Sequence, residues 1–263
     1  MELDIYQIDA FASKPFEGNP AAVVPLSNWL PDAQMQQIAA ENNLSETAFY
    51  VNEAEGYRIR WFTPADEVPL CGHATLASAY VIFRLNPDLA QIRFQSLSGP
   101  LIASRDSNLI TMDFPVSPVI PFEAPSLLAE ALGTVPTKCV KSVDGRRYIA
   151  MFDDHSKIHN LTPDISKLMA LESMTVTVTS TSPDYDFISR VFAPKLGIPE
   201  DPVTGAVHTS LIPFWAEKLE KDKLHAKQVS ARGGELHCEL KGDRAFISGK
   251  AVEYLRGKIC IPD

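Results

Sequence analysis

Glu67-Val68-Pro69-Leu70-Cys71-Gly72-His73-Ala74-Thr75 is the stretch whose reading decides the fold. It lies between a strand-like run, Tyr57 to Phe62, and an apolar run, Leu76 to Leu85. A Gly-His turn here opens a helix whose first N–H groups have no intrahelical acceptor. Those groups and the helix dipole make the turn a ready anion site. The helix, expected over Ala74 to Leu85, is apolar on nearly every face, with Leu76, Ala77, Ala79, Val81, Ile82 and Phe83. A helix without a polar face is buried on all sides, so the neighbouring strands should wrap around it.

The same stretch recurs about half a chain later. Arg60-x-Phe62-x-Pro64 matches Arg190-x-Phe192-x-Pro194, and Glu67-x-Pro69-x-x-Gly72 matches Glu200-x-Pro202-x-x-Gly205. Between these matches the second copy carries a short insertion, within 195–198. After the helices, Ser98-Gly99 falls on Arg232-Gly233. The matches keep their order, and each sits at the same strand–turn–helix–strand place. Two similar domains are therefore expected, 1–115 and 116–263, joined at the proline-rich run Pro115-Val116-Ser117-Pro118-Val119-Ile120-Pro121. Like domains commonly pack about a pseudo-twofold axis with a ligand cleft between them. Two helix N-termini facing such a cleft would suit a carboxylate on a small molecule.

The rest of the chain reads as alternating strands and short helices. Leu3 to Phe11 and Ala21 to Leu26 are expected strands around the turn 15–20, and Leu30-Pro31-Asp32 opens a helix. Leu44 to Val51 is the next strand, and Glu46 is out of place near its start, where β-rich apolar residues dominate. In the second half, Met174 to Thr179 alternates cleanly and predicts a strand with one polar face. A helix from Ala206 to about Leu219 contains Pro213, which removes one backbone bond.

Composition excludes several functions. The chain has 263 residues, is 45% hydrophobic and 22% charged, and so resembles ordinary globular proteins. Its net charge of -9 argues against nucleic acid as a partner. No apolar run approaches the length of a membrane span, and no secretory segment is expected at the N-terminus. The four cysteines, Cys71, Cys139, Cys238 and Cys260, lack metal-site spacing, which points to a reduced, cytoplasmic protein. His155 and His159 have no acidic or cysteine partner at metal spacing, so no metal is expected.

Four segments carry a resemblance: Gly18-Asn19-Pro20-Ala21-Ala22-Val23, Leu44-Ser45-Glu46-Thr47-Ala48-Phe49, Leu70-Cys71-Gly72-His73-Ala74-Thr75 and Glu200-Asp201-Pro202-Val203-Thr204-Gly205. In this order they resemble the PhzF-like (phenazine biosynthesis-like) isomerases, which share the diaminopimelate epimerase fold. The resemblance implies an α+β chain of two similar domains, each a barrel-like sheet around a central apolar helix. It implies an isomerase without metal or organic cofactor, with Glu46 as the acid/base and His73 and Asp201 as its companions. The N–H groups at Gly72, His73, Gly205 and Ala206 would hold a substrate carboxylate. A homodimer follows only by analogy. Where the family often has Gly-Ser, this chain has Gly205-Ala206, which keeps the N–H and loses a hydroxyl.

The tempting thiol reading fares less well. Diaminopimelate epimerase uses two facing cysteines, but in the repeat Cys71 falls on Thr204. Threonine cannot serve as the second thiolate base. Cys71 and His73, two apart across a glycine turn, need not face each other, so a nucleophile–base pair is not expected. Asp201 falls opposite Val68, so the shared fold does not demand its charge. His208 reads as a satisfied core histidine, and the place of Asn19 in a Gly-Asn-Pro turn accounts for it. An epimerase or racemase using Cys71, or a non-catalytic carboxylate-binding module, are the alternatives.

Overall fold

The computed structural model describes residues 1–262. The chain forms two units. One comprises residues 1–114 together with the chain from Ile247 onward; the other is Pro115–Phe246.

The first unit opens with β1 (Glu2–Ala10) and β2 (Asn19–Leu26), an antiparallel pair. Helix α1 (Asp32–Asn42) follows and ends on Asn43 in the left-handed conformation. Then come β3 (Glu46–Glu53), β4 (Gly56–Phe62), β5 (Glu67–Val68) and α2 (Gly72–Leu85). Strands β6 (Gln91–Ser96), β7 (Gly99–Asp106) and β8 (Leu109–Pro115) complete this stretch. Strand β2 runs parallel to β3, β3 antiparallel to β4, β4 parallel to β6, and β6 antiparallel to β7. Helix α2 packs against β1, β2, β3 and β7. As its composition required, nearly all of it is buried. Thr75 and Ser78 are compatible with burial because Thr75 Oγ1 donates to Cys71 O and Ser78 Oγ to Ala74 O.

The second unit repeats this plan. It contains β9 (Val119–Pro121), α3 (Ser126–Leu132), β10 (Lys138–Ser142), β11 (Arg147–Met151), α4 (His155–Asn160) and α5 (Ile165–Ala170). After them come β12 (Thr175–Ser180), β13 (Phe187–Ala193), β14 (Ile198–Asp201) and α6 (Gly205–Leu219), then β15 (Lys223–Gln228) and β16 (Gly234–Lys241); β17 (Arg244–Gly249) begins in this unit and ends in the first. Strand β11 runs parallel to β12, β12 antiparallel to β13, β13 parallel to β15, and β15 antiparallel to β16. The order of senses matches the first unit strand for strand. The insertion forms a 3-10 turn at Pro194–Leu196, closed by Gly197 at φ 81°.

The repeat extends to side chains. Arg60 grips Glu67 through two bonds of 2.7 and 2.6 Å, and Arg190 grips Glu200 through two of 2.7 and 2.9 Å. Each guanidinium also lies over the phenylalanine two residues on, Phe62 at 5.2 Å and Phe192 at 5.1 Å.

Two expectations need correction. The second domain does not run to 263: β18 (Ala251–Cys260) pairs antiparallel with β1 along its length and belongs to the first unit. The proline-rich run is not a free linker, since Val119–Pro121 pairs with β10. Strand β12 is the expected strand with one polar face, and that face is turned inward, since Thr177 and Thr179 are fully buried. Thr179 Oγ1 lies in that interior, donating to Ile188 O and accepting from Trp215 Nε1. Pro213 sits inside α6, and the carbonyl it leaves unserved, Thr209 O, accepts the N–H of Ser117 at 3.1 Å.

Candidate active site

In the first unit, three chain segments bring four side chains together. The first is the entry to β2. Gly18 adopts φ +66°, and a Cβ there would meet Ala10 O at 2.1 Å, so only glycine fits. This tight entry delivers Asn19, fully buried, with Nδ2 3.2 Å from His73 Nδ1. The second segment is the start of β3, where Glu46 stands opposite Ala21 in the parallel register. The third is the turn into α2. Cys71 is its N-cap and makes no side-chain cap bond, and His73 is buried in the first helical turn.

His73 is the hub. Its Nε2 lies 3.1 Å from Glu46 Oε2, at ion-pair distance but without in-line hydrogen-bond geometry. Its Nδ1 lies 3.5 Å from Cys71 Sγ. With Asn19 Nδ2 donating into Nδ1, a neutral His73 carries its hydrogen on Nε2, facing the carboxylate. Burial works against a charged imidazolium, but the Cys71 sulfur and the Glu46 carboxylate outweigh it and hold His73 well above 6.5. Burial, reinforced by Glu46, pushes the Cys71 thiol up to about 11. Such a thiol carries its proton at neutral pH and is a poor base or nucleophile. Contrary to the expectation from spacing, Cys71 and His73 do face each other; the contact makes a polar cluster rather than an activated thiolate.

The first turn of α2 contains no acidic residue, and neither does that of α6. In α2, where Cys71 makes no side-chain cap bond, Gly72 and His73 open the helix and present N–H groups that have no intrahelical acceptor.

The second unit holds the other expected residues. Asp201 ends β14, and its Oδ2 accepts from Thr204 Oγ1 at 2.5 Å. Thr204 caps α6, followed by Gly205 and Ala206. His208 is buried in the first turns of α6, its Nδ1–H donating to Thr204 O at 2.8 Å. Burial lowers its pKa to about 4, so it is a neutral core histidine, as read.

Sequence reasoning missed Gln228. It is fully buried at the end of β15, where Oε1 accepts Thr204 N at 2.9 Å and Nε2 donates to Asp201 O at 2.6 Å and Thr204 Oγ1 at 3.2 Å. One amide thus ties down the whole Asp201–Thr204 turn. The only available signal was a polar residue closing an otherwise alternating strand. For Asn19 the turn sufficed as an explanation from sequence, with reach toward a cleft as the other reading; the structure places its amide on His73.

Comparison with solved structures and curated proteins fixes the class. A PhzF-family phenazine biosynthesis protein from Enterococcus faecalis superposes with a TM-score of 0.96 at 43% identity, covering 99% of this chain and 100% of that one. A hydroxyproline epimerase from Agrobacterium vitis shares the fold at a TM-score of 0.62 and 11% identity, covering 100% of this chain and 93% of that one. The architecture is thus that of the epimerase-like α+β proteins, two similar units each built on a central apolar helix. A protein of Pseudomonas aeruginosa named as an uncharacterized isomerase is 48% identical over 98% of this chain and 99% of its own length. The chain belongs to the PhzC-PhzF family, the phenazine biosynthesis-like proteins, whose profile matches residues 8–257, and it is an isomerase.

Proposed function

We propose that this isomerase moves a proton on a small carboxylate-bearing metabolite, with Glu46 as the acid/base and no cofactor. The observation that carries the reading is the pairing of Glu46 with the buried His73 beside the open N-terminus of α2. Glu46 removes a proton from carbon and returns it at another position. His73 holds its Nε2 proton against the carboxylate throughout, which stabilises Glu46 in the ionised form that takes the proton. The N–H groups at Gly72, His73, Gly205 and Ala206 are the carboxylate donors in this scheme, and Asp201 orients the amino or hydroxyl side of the substrate. The high thiol pKa of Cys71 disfavours the alternative in which it acts as an epimerase base.

The test is solvent-deuterium incorporation into a panel of small carboxylic acids, read by mass spectrometry. Glu46→Gln should lower carbon exchange by about 10²–10⁴-fold while carboxylate binding persists. Exchange at the wild-type rate in that variant would reject the proposal.

A further inference from the structure

Glu46, Cys71 and His73 offer one donor atom each, and these atoms all lie within 4.8 Å of one another. Among the described residues no other group of three His, Cys, Asp or Glu side chains converges in this way. The set combines a thiol, an imidazole and a carboxylate, the donor chemistry of zinc sites. A tetrahedral zinc with sulfur at about 2.3 Å and nitrogen at about 2.0 Å spreads those two atoms roughly 3.5 Å apart. The Cys71 Sγ to His73 Nδ1 distance is 3.5 Å. Two further atoms in the cluster, Glu46 Oε2 and His73 Nε2, are buried without an in-line hydrogen-bond partner, so the carboxylate has an acceptor to give a cation. The Glu46 side chain keeps 14% of its surface exposed, which gives an ion a way in.

We infer that Glu46, Cys71 and His73 form an inhibitory zinc site inside the acid/base pocket. The spacing rules that excluded a metal considered residues near one another in sequence. Here the third donor comes from β3, and only the fold brings it to the Cys71-x-His73 turn. On binding, Cys71 Sγ–H loses its proton to solvent, as does any excess proton on His73, and zinc–sulfur, zinc–nitrogen and zinc–oxygen bonds form. A fourth position stays open to water. The ion takes the Nδ1 lone pair of His73 in place of the Asn19 amide and the carboxylate lone pair that Glu46 needs for proton transfer, so it silences the site rather than assisting it. Zinc binding requires no substrate and is read separately from carbon exchange, so the two proposals can fail independently.

The experiment is a titration of the metal-stripped full chain with Zn²⁺ against a chromophoric chelator, repeated with Co²⁺ to read thiolate coordination by absorption. One ion per chain is expected, with a cobalt–thiolate band in the near ultraviolet. Cys71→Ala and His73→Ala should each weaken zinc by about 100-fold or more, and Glu46→Gln by about tenfold. Circular dichroism checks that each variant is folded; if the alanine variants do not fold, Glu46→Gln and the wild-type cobalt band decide. Two surface pairs are the competing sinks: His155 with His159, and His225 stacked on His237 at 4.5 Å. Replacing both pairs by alanine should leave the affinity unchanged. The inference is overturned if those surface variants abolish binding, if Cys71→Ala binds like the wild type, or if no stoichiometric binding occurs below millimolar zinc.

Discussion

Cys71 and Thr204 hold the same place, one residue before the glycine that opens the central helix of each unit, and they do opposite things. Cys71 Sγ leans onto His73 Nδ1 at 3.5 Å, joining the polar cluster of its helix. Thr204 Oγ1 turns back and donates to Asp201 Oδ2 at 2.5 Å. The repeat supplied two equivalent helix ends, and one side chain at each has made them chemically different.

The Thr204 end depends on Gln228. Gln228→Leu removes three hydrogen bonds and deprives the half-buried Thr204 N and Asp201 O of that partner. It should cost about 2–4 kcal/mol, measured by urea denaturation. Thr204→Val should cost about 1–3 kcal/mol, and Thr204→Ser, which keeps the hydroxyl, should recover most of it.

The two Arg–Glu clamps look alike but should not weigh alike. Beyond its glutamate, Arg60 reaches the exposed carboxylate of Asp32, which water serves equally well. Arg190 instead donates to the backbone carbonyls of Ile158 and Leu161 at 3.1 and 2.6 Å. Arg190→Ala should therefore destabilise by about 2–4 kcal/mol, and Arg60→Ala by roughly 1–2 kcal/mol. Equal midpoints in denaturant would contradict this ranking.

Stability should fall on both sides of neutrality. The folded-state pKa of His73 is raised, so its contribution is complete below about 6.5 and is lost as pH rises through the folded value. His208 is depressed to about 4, so folding loses stability as pH falls from 6.5 toward 4, by roughly 3 kcal/mol in total. His208→Gln should flatten the acid limb alone, and His73→Asn the alkaline limb alone, in denaturation curves across pH.

Gly18→Ala should be costly well beyond its size. The added methyl meets a backbone carbonyl at 2.1 Å in a left-handed conformation, so nothing flexible can yield. A loss of about 2–4 kcal/mol is expected. Because Asn19 follows directly, the His73 ring resonances should move in NMR spectra even where the protein remains folded.

Much of this was legible in the chain. The apolar run of α2 announced its burial, and the paired Arg–Phe and Glu–Gly motifs announced the repeat, because local patterning controls both. Glu46 stood out as a carboxylate where none was needed for a strand. What the chain concealed depends on distant partners. Helix α4 is too short for periodicity to show. The threonines of β12 look solvent-facing because alternation reports polarity, not which side is wet. Gln228 has no motif, and its function exists only once β15 runs beside β13. The facing of Cys71 and His73 follows from the extended backbone at the N-cap, which residue types alone do not reveal.

The pairing of β18 with β1 carries a consequence for biosynthesis. The second unit is one uninterrupted run, whereas the first needs a strand translated after the second has been made. On the ribosome, the later half can fold before the earlier one is complete. Until β18 emerges, the nascent chain presents the backbone of β1 as an open edge, the kind of surface that holding chaperones cover.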